Sequence, residues 1–316
     1  MKRKVNRVGK NTLTVSLPSK WVKKYGLKSG KEVEVTEQGR NLIISSKTFI
    51  KKIKRVNLNI DGFNKHMLNR HLDEFYRQGV EEIVLKFTKE TIPDYKYNKD
   101  IRIHRYVRKV IERFIGLEII SRATNKIVLQ SLITKEEWEK TSVTQNRIYF
   151  LIKEFFDEFV LAMDDDFKKF HDKSYDYHDS IVKFSAYYLR LLNFSEWSEN
   201  KKIRMFGLIV IIDKIIDKVR HTSERVEEMK KITPKIKKYV KEIFDLFIEQ
   251  FEMINKKNYP VEDLNKLIRK RYDLVNRVNT EKFNEEELKV ISECNIILDT
   301  INDFSEAHIT LFEDYR

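Results

Sequence analysis

Apolar and polar positions change period twice along the chain. Leu13, Val15 and Leu17 alternate with Thr12, Thr14 and Ser16, a period of two that predicts a half-buried strand. Pro18 ends that run, and Ser19 is the expected N-cap of a short helix over Lys20 to Tyr25, closed by Gly26. Lys28 to Lys31 then turn into a strand in which Val33 and Val35 alternate with Glu32 and Glu34. Gln38-Gly39-Arg40 reads as a hairpin turn into Asn41 to Ile44. Between about 50 and 135 the pattern is mixed: strands at Val56–Ile60 and Glu82–Phe87, a helix at His66–Gln78, and a polar loop through Pro93. A helix at Ile103–Phe114 and strands at Leu117–Ile120 and Lys126–Leu132 complete it. From about 136 the period is helical. Phe155, Phe159, Met163 and Phe167 recur every fourth residue, as do Tyr239, Ile243, Phe247 and Phe251. Each stripe is followed by two further amphipathic segments, about 179–193 and 201–228, then 261–278 and 284–313. Thr233-Pro234 is a cap and first-turn pair for the fourth helix, the first of the second set. Two three-helix repeats, about 136–230 and 231–316, are expected to form a six-helix body.

Glycine follows the same division: seven of the eight lie at or before Gly116. The expected architecture is therefore a β-rich domain over 1–48, an α/β connector over 49–135 and an all-α domain over 136–316. A strand–helix–strand–strand unit of the first domain's size buries too little core alone, and a second copy of itself is its expected partner.

Charge sharpens this picture. Net charge is +13, and residues 1–60 hold sixteen Lys and Arg against Glu32, Glu34 and Glu37, which accounts for all of it. Such asymmetry points to a polyanion-binding head on a neutral body. Lys51, Lys52, Lys54 and Arg55 either extend that surface or form a solvated linker. Cys294 is the sole cysteine, which excludes an internal disulfide framework and fits a reducing cytoplasm. No secretory signal is expected, and the longest apolar run, Met205–Ile212, is far short of a membrane span. Phosphate-loop, zinc-protease and nucleophile-elbow motifs are absent, so no enzymatic activity is expected.

The stretch VGKNTLTVSLPSKWVKKYGLKSGKEVEV resembles the SpoVT/AbrB swapped-hairpin DNA-binding family over residues 3–46. Tyr25-Gly26-Leu27 stands where Leu-Gly-Leu is usual, and Lys31 follows Gly30 where an acid is common. The resemblance implies an intertwined homodimer that binds DNA. Arg3, Lys4, Arg7, Lys10, Lys20, Lys23 and Lys24 are the candidates for phosphate contacts; Asn11 and Thr12, with Arg7, are those for base edges. Trp21 reads as a core or dimer contact.

Each third helix of the C-terminal repeats carries Asp-x-x-x-Asp: Asp213 with Asp217, and Asp299 with Asp303. Four-residue spacing puts both carboxylates on one helix face, where oxygen ligands can share a hard cation. The arrangement resembles the PhoU family, whose three-helix repeats carry such motifs and can bind metal clusters. Lys218 and Phe304 replace the motif histidine here. Divalent or iron-type ions at these pairs are the cofactor implied; solvated carboxylates are the alternative. His221, one turn beyond Asp217, reads as a surface histidine, and the run Asp164 to Asp179 as an inter-helix loop with Asp caps.

Archaeal proteins combining these two parts are described as phosphate uptake regulators. The resemblance implies a cytoplasmic, DNA-binding transcriptional regulator of phosphate uptake genes, its helical body sensing a ligand or docking a partner. One alternative is an adaptor acting on a phosphate transporter or kinase, with the head serving only for dimerisation. Another is the antidote of a toxin, a role other swapped-hairpin proteins play.

Overall fold

A computed structural model describes residues 2–38, 41–46, 54–133, 139–195, 197–255 and 261–309. The chain forms two compact units, Met1–Ile53 and Lys54–Arg316. The expected connector and helical body thus share one unit, within which two hydrophobic cores are distinct. Among the described residues, a β-rich N-terminal region precedes a mostly helical remainder, with nine α-helices in all.

In the first unit, β1 (Val5–Val8) pairs antiparallel with β2 (Thr12–Val15), then α1 (Ser19–Lys24) leads to a second hairpin of β3 (Glu34–Gln38) and β4 (Asn41–Ser45). Pro18, not Ser19, occupies the N-cap, because proline's fixed φ suits the extended entry and leaves Ser19 inside the first turn. At the other end Gly26 takes a left-handed φ of 59°. Its N–H bonds Lys23 O at 3.3 Å, and Leu27 N–H bonds Val22 O at 3.0 Å. That pair of bonds satisfies the last carbonyls of the helix. The strand expected to be half-buried is exposed in the single chain, Leu13 by 68%. Gly39 and Arg40 of the expected turn, with Lys51 and Lys52, lie outside the described residues.

The second unit opens with a four-stranded sheet in the order β5 (Arg55–Asn59), β6 (Glu82–Lys86), β10 (Lys126–Ser131), β9 (Leu117–Ala123). β5 and β6 are parallel, as the crossover helix α2 (Lys65–Arg77) between them requires; the other pairs are antiparallel. α2 and α3 (Ile103–Ile111) supply Leu68, Leu72, Tyr76, Val107 and Val110 to a core shared with Ile83, Leu85, Ile127 and Leu129. The loop expected through Pro93 is instead a hairpin of β7 (Thr91–Asp94) and β8 (Lys99–Arg102). It lacks apolar alternation; Lys65 anchors it by binding buried Asp94 at 2.7 Å, a bond that holds that carboxyl low. Lys54 and Arg55 are also committed, Lys54 to Gln78 O at 2.8 Å and Arg55 to Glu82.

Six helices follow: α4 (Thr141–Ala162), α5 (Phe167–Leu192), α6 (Glu199–Glu227), α7 (Pro234–Glu252), α8 (Val261–Thr280) and α9 (Glu285–Ile309). Both expected aromatic stripes are buried. Corresponding members of the two sets pack on each other, α4 on α7 and α6 on α9, with Phe156 stacked on Phe244 at 4.1 Å. Thr233 caps α7, its hydroxyl accepting from Ile236 N–H at 3.4 Å, and also donates to Glu287 at 2.7 Å. Glu287 and Asn284 cap each other's backbone at 2.9 Å, opening α9 with a reciprocal capping box.

The reading of Asp164–Asp179 as a loop is overturned. Only 163–166 break the helices, and Asp166 caps α5 by accepting from Lys169 N–H at 3.1 Å. Phe167, Phe170, Ser174 and Ile181 form a buried helical stripe inside that polar run. Phe167 therefore belongs to α5 and not to the stripe of α4.

α5 enters both cores. Its Tyr188 and Leu189 pack with the helices, while Ala186, Tyr187 and Leu191 pack with the sheet layer. Between them Arg190, fully buried, donates from Nη1 to Tyr76 O and Val80 O, both at 2.9 Å. Its guanidinium lies 4.9 Å from the Tyr76 ring centroid, and Asn193 adds a bond to Arg77 O at 2.8 Å. Arg190 of α5 and Asn193, the residue that ends it, thus both bond the C-terminal end of α2. Replacing Arg190 by Ala removes the side-chain donor to Val80 O and one of the donors to Tyr76 O and leaves a void, and should cost about 2–4 kcal/mol in urea unfolding. A loss below roughly 0.5 kcal/mol, the range of an ordinary surface change, would exclude this role.

Candidate nucleic-acid interface and the acidic pairs

Directly opposed residues of an antiparallel pair share a face. In the first hairpin Val5 opposes Val15 and Arg7 opposes Leu13, so these four form one face; Asn6, Val8, Thr12 and Thr14 form the other. Gly9, at φ 70°, opens the three-residue turn that holds Lys10 and Asn11. The nine candidate nucleic-acid contacts therefore fall into three patches of one unit. Arg7, Lys10, Asn11 and Thr12 sit at the turn. Arg3 and Lys4 sit at the open end, where Arg3 Nη1 donates to Ser16 Oγ at 3.5 Å. Lys20, Lys23 and Lys24 lie on one side of α1, at the three- and four-residue spacings that align side chains. All nine are exposed.

Apolar groups share that exposure: Val5, Val8, Leu13, Val15, Val35 and Leu42 all face solvent in the single chain. Trp21 is half-buried, its ring 5.5 Å from that of Tyr25. No residue of the first unit whose side chain is described is fully buried. Among its described side chains the unit shows no core of its own in the single chain.

The four acids of the two pairs sit in different settings. Asp213, with 16% side-chain exposure, turns to α2 and binds Arg77 Nη2 at 3.1 Å. Burial lifts its carboxyl to a pKa of about 6 against the pull of Arg77. Asp217, one turn on, faces His178 Nε2 at 2.8 Å, and that bond lowers its pKa. Asp299 is exposed and binds Arg271 at 3.1 Å; Asp303 is exposed. In the first pair Arg77 and His178 claim one carboxylate each, and in the second Arg271 binds Asp299. Among the described residues, no group of three or more His, Cys, Asp or Glu is arranged to hold a metal ion.

What the pattern of spacings missed is the seam between α5 and α6. His178 Nδ1 also lies 3.1 Å from Asp179, so both ring nitrogens meet carboxylates. Burial pulls the His178 pKa down, but these two hydrogen bonds outweigh it and the net shift is upward. His171 Nδ1 meets Ser223 Oγ at 3.1 Å, Tyr175 donates to Glu224 at 3.2 Å, and Arg220 and His221 converge on Glu224 at 2.7 and 3.1 Å. The histidines and acids that looked like loop ligands are zipped along two helices. Their recurrence every three or four residues in α5 was the available signal. Cys294 is buried, and burial pushes its thiol pKa up, away from reactivity.

The sequence model of the family described as antidote-toxin recognition MazE, bacterial antitoxin, matches residues 7–54. An antitoxin-like domain of the MazE/AbrB type thus forms the N-terminal region, compatible with DNA binding or a regulatory role. No curated protein and no solved structure matches the chain. No helix among the described residues is long and apolar enough to cross a membrane.

The two upward shifts carry one sign. Asp213 contributes its full stabilisation below its ordinary value of 3.8 and loses it as pH rises through about 6. His178 contributes fully below 6.5 and loses that contribution as pH rises through its raised folded value. Urea unfolding of wild type minus Asp213→Asn should therefore fall between about pH 4 and 6. Wild type minus His178→Gln should fall above about pH 6.5. A difference independent of pH would contradict the corresponding assignment.

Proposed function

We propose that the protein is a homodimeric, DNA-binding transcriptional regulator whose helical body senses a ligand or docks a partner. The observation carrying this reading is the first unit itself: residues 1–53 hold fourteen Lys and Arg against three Glu, +11 of the chain's net +13, on a fold with no buried residue among its described side chains. Association of two such units would bury Val5, Leu13 and Val15 and double the density of lysine and arginine on one assembly. The cations of the turn and of α1 would then neutralise backbone phosphates and set the register. Asn11 and Thr12, with Arg7 at the turn end of the associating face, would reach base edges.

The antitoxin-like domain at 7–54 supports the same reading and also raises a second one, recognition of a toxin. The large folded remainder of the chain favours a regulator with its own input. Control of phosphate uptake genes rests on the resemblance to PhoU-type repeats and on the paired packing of two three-helix sets. The transporter or kinase adaptor is the rival for the helical part.

Fluorescence anisotropy with duplex from upstream of the protein's own gene and with a scrambled duplex tests the core of the proposal. Binding should prefer the former, with a salt slope of about −0.9 per phosphate contacted. Replacing Arg7 and Lys10 by Ala should weaken binding at least about tenfold, because two phosphate or base contacts are lost. Leu13→Glu should yield monomers in sedimentation and abolish specific binding. Unchanged affinity in the double variant, or binding blind to sequence, would transfer support to the adaptor.

A further inference from the structure

A second basic feature lies in the Lys54–Arg316 unit. A cleft of about 510 Å3 opens between α3, β9 and α5, within the roughly 300–1,000 Å3 range of small-molecule sites. Its lining is mostly polar, with a smaller apolar share from Ile111, Phe114, Ile115, Leu117 and Ile119. Three cations from three different elements border it: Arg108, Arg122 and Lys183. Lys183 also donates to Glu112 O at 3.0 Å, at the end of α3. Arg108 and Arg122 are exposed and have no hydrogen-bond or ion-pair partner among the described residues.

Arg122 reaches this side of the sheet only through an irregularity in β9. Ile119 pairs with Leu129, but Ser121 pairs with Val128, so Ile120 is an extra residue opposite the Val128/Leu129 step. Leu117 and Ile119 point to the helix side, and strict alternation would send Arg122 to the other face. The bulge reverses that parity: Arg122 opposes Ile127, a fully buried member of the helix-side core. Glu118 opposes Gln130 and points to the opposite face, so it contributes backbone and not charge to the cleft. Glu112 is then the one carboxylate set against three cations. Bulges recur where a side chain must be re-aimed towards a site.

We propose that this cleft binds a small organic anion, its phosphate or carboxylate held between Arg108 and Arg122 and its apolar or ring portion against Ile111, Phe114 and Ile119. Guanidinium groups present paired donors that match either oxyanion, and here one from a helix and one from a strand border the same cleft. If the protein is the regulator proposed above, this is a site through which a metabolite would be read; the binding itself does not depend on that reading.

The test is isothermal titration calorimetry of the full-length protein with adenosine 5′-monophosphate, citrate and, as an uncharged control, adenosine. No DNA is present, so this result and the DNA titration fail or succeed separately. Binding of either anion with Kd below about 1 mM, with adenosine at least about tenfold weaker, is expected. Arg108→Ser and Arg122→Ser should each weaken it about tenfold, and Arg122→Lys should retain part of the affinity. Affinity for the monophosphate alone assigns a phosphate site, and for citrate alone a carboxylate site. Absence of binding by both anions, or equal affinity in the serine variants, overturns the proposal. Unchanged thermal melting of the serine variants, expected of exposed side chains, keeps a loss of affinity from being a loss of fold.

Discussion

A buried guanidinium capping a helix end links the larger unit together. Arg190 lies on α5 between residues committed to the helical core and residues committed to the sheet layer, and it fills the hydrogen-bonding needs of α2's last turn. The orphan carbonyls of a helix terminus must find donors, and when the terminus is buried those donors come from protein. Burial lowers the pKa of Arg190, and Nε and Nη2 have no protein partner, so the position is costly for a cation. Contact with the Tyr76 and Phe194 rings offsets part of that cost. Two cores that could have been separate domains meet along α5 for this reason, with Asn193 and the Asp213–Arg77 pair reinforcing the same junction.

Much of this architecture was legible in the residues. Strands with period-two alternation and helices with four-residue stripes emerged within a few residues of their observed ends, because burial of one face dictates both periods. Thr233-Pro234 announced α7 through capping chemistry alone. What was not legible had no apolar signature. The β7–β8 hairpin is tied by Lys65 to Asp94, a contact between residues far apart in sequence. The start of α5 is polar on most of its surface, so its Asp and His residues masked the sparse stripe of Phe167, Phe170 and Ser174.

The candidate sites divide in the same way. The charge asymmetry of the N-terminal region is a property of composition and survives any detail of folding. Metal ligation at the Asp-x-x-x-Asp pairs depended on where neighbouring helices put their own side chains. Spacing places two carboxylates on one face; it does not say that Arg77 and His178 will claim one each. The basic cleft was invisible for a related reason: Arg108, Arg122 and Lys183 come from three elements, and no linear motif joins them.

The extra residue in β9 has a consequence for how relatives of this chain would be read. Arg122 faces the cleft because of how the strand pairs, not because of its identity. A chain of the same length paired with β10 in unbroken alternation would carry the guanidinium on the far face, whereas one lacking Ile120 would need no bulge and would keep it on the cleft side. Chemical similarity and functional equivalence separate at that strand, and the pairing of the segment with β10 is the feature to compare.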